Sequence, residues 1–214
     1  MQDKTTHRSR AIKLALIAVM AATLEGGKLA LAFLPNVEIV TLLCAIYGFV
    51  FGWSGMIATY IFVIIECFVW GINTWVLTYF IYWPLLTFVF VLLGRFDIKN
   101  RFIATLCAVM MTIFFGVLSS LVDTGLLTGF YERFWYRFSI IYVRGISFYL
   151  VQIFCNLFLF LILFRPLVDR IDNLCPQKFK SVKIKKLRKS GEKLTSPLED
   201  ISSENNIDQS KKSD

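Results

Sequence analysis

The stretch Ile39–Gly94, IVTLLCAIYGFVFGWSGMIATYIFVIIECFVWGINTWVLTYFIYWPLLTFVFVLLG, carries one charged side chain, Glu66, in 56 residues. A water-soluble domain needs far more polar area than this to cover its surface. The stretch is also too long for a single bilayer crossing, which takes about 20 apolar residues. It must cross several times, with Gly52-Trp53-Ser54-Gly55 and Gly71-Ile72-Asn73-Thr74 as breaks. The fold class that follows is all-α, a polytopic membrane protein with Glu66 inside its apolar mass.

Working outward, the same reading predicts six transmembrane helices, near residues 11–26, 37–52, 55–72, 74–94, 102–124 and 139–164. The whole chain agrees, with 57% hydrophobic and 16% aromatic residues and a mean hydropathy of +0.64. It divides into a cytoplasmic N-terminus (1–10), a membrane domain (11–173) and a disordered cytoplasmic tail (174–214). A basic start before an apolar run also suggests a signal peptide. Glu25-Gly26-Gly27-Lys28 offers no small-residue cleavage site, however, and further spans follow.

Basic residues set the orientation. Lys4, Arg8, Arg10 and Lys13 precede the first span; Arg95, Lys99 and Arg101 fill the loop after the fourth; Arg165 and Arg170 follow the sixth. These clusters share one side only if the number of spans is even, so both termini are expected in the cytoplasm. The loop before the sixth helix runs against this rule with Arg133, Arg137 and, inside the helix, Arg144. Either Asp123 and Glu132 balance these charges, or they belong to an outward-facing site.

Of the 23 Lys and Arg, 12 lie at or after Arg165, so the +8 charge is mainly the tail's. Its basic block from Lys178 to Lys189, followed by a Ser-, Asn- and acid-rich end, cannot bury enough apolar area to fold alone. Anionic membrane lipid is its expected partner, and no nucleic acid is. Five cysteines without paired spacing and a single histidine give no metal-ligand pattern.

Polar residues within the spans are the functional candidates. Glu66, Trp70 and Asn73 share a face by helical spacing, and an ionisable group in a span marks a cavity, a partner or a buried hydrogen bond. Trp75, Tyr79 and Tyr82, with Trp83 nearby, stripe the fourth helix, either as interfacial anchors or as a wall on which a flat ligand stacks. The fifth helix aligns Thr112, Gly116, Ser119 and Asp123, and the sixth Tyr142, Gly145, Tyr149, Gln152 and Asn156. Such stripes line a cavity or cross-link helices. In the first helix Ala11, Ala15, Ala18 and Ala22 form a groove of small residues, open to a partner subunit or to a helix of the same chain. No Walker motif, H-E-x-x-H, Cys–His constellation or G-x-S-x-G is present, so nothing reads as a catalytic or ATP-binding site.

Six spans, the Ala-x-x-x-Ala pattern at Ala11/Ala15 and Ala18/Ala22, and Leu34-Pro35-Asn36-Val37-Glu38 leading into the second helix together resemble a known group. Over residues 8–170 the chain looks like a substrate-binding S component of the energy-coupling factor vitamin transporters of prokaryotes. The resemblance implies high-affinity capture of a scarce water-soluble vitamin near the outer surface. It implies that the first-helix alanines meet a separate transmembrane coupling subunit carried by two ATPases, and that the chain itself needs no cofactor, ATP being used by those subunits. Carried onto this chain, the pocket residues are Asn36, Glu38, Asn73, Trp75, Tyr79, Trp83, Asp123, Arg133, Tyr149, Gln152 and Asn156. A flavin, thiamine, a pyridoxine-like ring, a corrinoid or a nucleobase derivative would each suit such a set. The alternative is a stand-alone proton-coupled transporter using Glu66 or Asp123 as its coupling carboxylate.

Overall fold

The computed structural model describes residues 2–34, 37–129, 131, 133–175 and 180. Among these the chain is helical, without strands: α1 (Gln2–Ala30), α2 (Val40–Phe51), α3 (Trp53–Trp70), α4 (Thr74–Arg95), α5 (Arg101–Thr128), α6 (Phe134–Leu159), a π-helical turn (Phe160–Phe164) and α7 (Arg165–Leu174). Four helical stretches are long and apolar enough to cross a membrane: α3, α4, α5 and the continuous run from α6 through α7. Their large apolar side chains are widely exposed, Phe68, Phe102, Leu106 and Phe158 among them. An aqueous surface would not tolerate that pattern, and the chain reads as membrane-embedded.

Helix α2 is the centre of the bundle. It has no polar stripe, and its residues other than Leu43 are buried, because it packs on α1, α3, α4, α6 and α7. Its close approach to α4 depends on missing side chains. A Cβ on Gly48 would stand 2.5 Å from the Thr87 carbonyl oxygen, and one on Gly94 would collide with the Phe49 carbonyl. Gly52 makes the whole connection to α3, at φ 57 and ψ −121, a conformation that a Cβ would oppose. The break expected over Gly52–Gly55 is therefore one residue long, with Trp53 already helical.

The helices alternate up and down, so the two ends of the bundle carry different residues. At one end Lys99 bridges Asp169 (3.2 Å) and Asp172 (3.0 Å) on α7, and Arg165 joins Asp169 at 3.6 Å. Burial works against the Lys99 ammonium, but its hydrogen bonds to Asp172 and Asp169 outweigh it and raise the pKa. The Asn100 side chain accepts from the Phe102 N–H at 2.9 Å and so caps α5. The π-turn precedes Pro166, which has no N–H to offer the carbonyl four residues back, and the wider turn fits that loss. The other end gathers the C-terminus of α1, the segment before α2, the junction of α3 with α4, and the loop between α5 and α6. The tail beyond 175, Lys180 apart, lies outside the described residues.

Candidate functional site

At this second end a cavity of about 320 Å³ opens beneath the segment that follows α1. Its polar lining comes from Lys28, Glu38, Trp70, Trp75 and Tyr79, its apolar lining from Leu29, Leu31, Ala32, Leu34 and Val37. Local structure explains the rings. Trp75, Tyr79 and Trp83 are four residues apart on α4 and stand edge to face, with centroids 5.3 and 5.4 Å apart. Gly71, at φ 74, turns the chain at the end of α3 and brings Trp70 to 6.2 Å from Trp75.

Lys28, in the last turn of α1, points into this box of rings. Its ammonium lies 4.9 Å from the centroids of Trp75 and Tyr79 and 5.8 Å from that of Trp70. It also pairs with Glu66, which has no exposed surface. This pairing answers the problem of a carboxylate within an apolar span, because a buried charge is stable only when paired. One Glu66 oxygen and both oxygens of Glu25 are buried, and no N–H or hydroxyl donor among the described residues reaches them. Their partner is each other: the carboxyls of Glu25 and Glu66 lie within hydrogen-bond reach, and Glu25 also feels the charges of Glu66 and Lys28.

Glu38 connects the cavity to the interior. Its carboxylate accepts from Gln152 Nε2 at 2.5 Å and from Thr41 Oγ1 at 3.5 Å. One turn further along α6, Asn156 Nδ2 donates to Thr112 Oγ1 at 2.9 Å. Tyr149 lies over Gly116 and Gly145 and shares a hydrogen bond with Ser120 at 3.0 Å. The polar stripes of α5 and α6 thus serve largely to join those helices to each other.

Of the residues expected in the pocket, Glu38, Trp75 and Tyr79 line the cavity, and Gln152 holds Glu38 from behind. Trp83, Tyr149 and Asn156 lie off the cavity wall; Trp83 and Asn156 are fully buried. Asn73 is exposed, and its side chain donates to the Trp70 carbonyl at 2.8 Å, closing the end of α3. Asp123 is half-buried on α5, away from the cavity. Arg133 is exposed, while Arg137 donates to the carbonyls of Gly129 (3.1 Å) and Tyr131 (3.2 Å) and ties the loop together. Asn36 lies outside the described residues. Ala11, Ala15, Ala18 and Ala22 are all exposed, so among the described residues no other helix covers them.

Lys28 lies beyond the first span read from hydropathy, 11–26, and Glu25 at its very edge, so neither stood out as a polar group within a span. The signal was the lone acid itself, which called for a cation at its own depth. No group of His, Cys, Asp or Glu among the described residues is arranged to hold a metal ion. The arrangement is suited to binding: aromatic walls, two charged groups at the surface of the cavity and more acid behind them. No family model, curated protein or solved structure matches the chain.

Proposed function

We propose that this chain is the membrane-embedded substrate-binding subunit of an ATP-driven importer of the energy-coupling factor type, capturing a water-soluble vitamin or related nutrient from outside. The observation that carries the reading is the cavity of about 320 Å³ under the first loop, walled by Trp70, Trp75 and Tyr79 and reached by Glu38. That volume suits a small organic molecule. Six spans with cytoplasmic termini complete the proposal, supported by the basic residues Arg95, Lys99, Arg101 and Arg165 gathered at the end opposite the cavity.

The exposed alanines give the reading its second support. With Gly26 they continue as one bare face of α1, around which a Cβ at Gly26 would meet nothing within 4 Å. A small-residue face lets another membrane helix approach closely. On this proposal the coupling subunit docks there, and its two ATPases supply the energy. Ala18→Trp should abolish uptake while the purified chain still binds its vitamin, because Ala18 is remote from the cavity. If binding disappears with uptake in a folded variant, the face serves the chain's own packing and the proposed docking is wrong.

A further inference from the structure

The electrostatics of the cavity point to the charge of its ligand. We propose that the cavity takes an organic cation, whose positive charge replaces the Lys28 ammonium against the rings of Trp70, Trp75 and Tyr79. The inference rests on reading this cavity as the ligand site.

Acid exceeds base around Lys28, on the cavity wall and directly behind it. The carboxyl groups of Glu38, on the wall, and of Glu25 and Glu66, behind it, all act on Lys28, and among the described residues no other basic side chain lines the cavity. Lys28 satisfies one oxygen of Glu66; the Glu25 carboxyl packs against Glu66, and among the described residues no N–H or hydroxyl donor reaches the remaining oxygens of the two acids. An anionic ligand would add a further negative group to this set. A neutral one would gain nothing from the acids gathered around Lys28.

The rings lead to the same conclusion independently. Their faces are electron-rich and attract a cation held within about 6 Å of the centroid, a condition Lys28 meets at all three. Lys28 is carried on a flexible stem whose side chain is 17% exposed. It therefore acts as a tethered competitor: it neutralises Glu66 while the cavity is free and swings toward the mouth when a ligand cation arrives.

The test uses equilibrium dialysis of the purified full chain against three probes of matched shape: 1-methylquinolinium, quinoline and quinoline-3-carboxylate. The cation should bind saturably, at least about tenfold tighter than quinoline, and the carboxylate most weakly. Lys28→Met should tighten binding of the cation, and Glu25→Gln should weaken it about tenfold. The selectivity of the unaltered chain decides the matter even if a variant fails to fold. Tightest binding of the carboxylate, or equal binding of all three, would overturn the proposal and leave the cavity as a ligand site. Saturable binding of none would overturn the reading of the cavity itself.

Discussion

The pairing of Lys28 with Glu66 can be measured by a double-mutant cycle. Glu66 is 0% exposed and the Lys28 side chain 17%. Removing one partner of a buried pair costs about 3–5 kcal/mol, since the other is left as an uncompensated charge. Lys28→Met also forfeits its contacts with three rings, which places it toward the upper part of that range. Glu66→Gln belongs at the lower end, because Lys28 keeps the rings and the nearby Glu25. With both groups gone no charge is stranded, so the double variant should lose less than the sum, with a coupling of about 2–3 kcal/mol. Reversible unfolding in mixed detergent micelles, followed by tryptophan fluorescence, gives the four stabilities. Single losses below about 0.5 kcal/mol that simply add, as exposed pairs give, would refute the reasoning.

Two further outcomes follow from packing. Gly48→Ala should cost about 1–3 kcal/mol in the same assay, because its Cβ would stand 2.5 Å from the Thr87 carbonyl oxygen and backbone cannot turn aside; unchanged stability would mean that α2 and α4 lie farther apart. Asn156→Leu should cost about 1 kcal/mol through the lost bond to Thr112, with ligand affinity unchanged, as dialysis would show.

Much of the helical architecture was legible because apolar runs and their breaks are local. Hydropathy locates a span rather than a helix, which is why α1 extends back through the polar residues to Gln2 and on to Ala30. The turn at Phe160–Phe164 left no trace in periodicity. In the site, the spacing of Trp75 and Tyr79 gave their shared face directly. The contact of Lys28 with Glu66 required knowing that α1 packs on α3, which no pattern within one helix contains. The stripes on α5 and α6 were visible for the same local reason that the Trp75 stripe was. Their purpose depended on facing each other, with Asn156 on Thr112 and Tyr149 on Gly116.

On the proposed function, this chain binds its cargo and separate ATPases do the work of import. The most direct test is accumulation of the vitamin identified by titration in vesicles holding the chain with or without a coupling subunit and its ATPases. Uptake is expected only with those subunits and ATP, and it should persist when a protonophore collapses the proton gradient. Uphill uptake by the chain alone, driven by that gradient and lost in Glu66→Gln, would contradict the proposal and establish the stand-alone carrier instead.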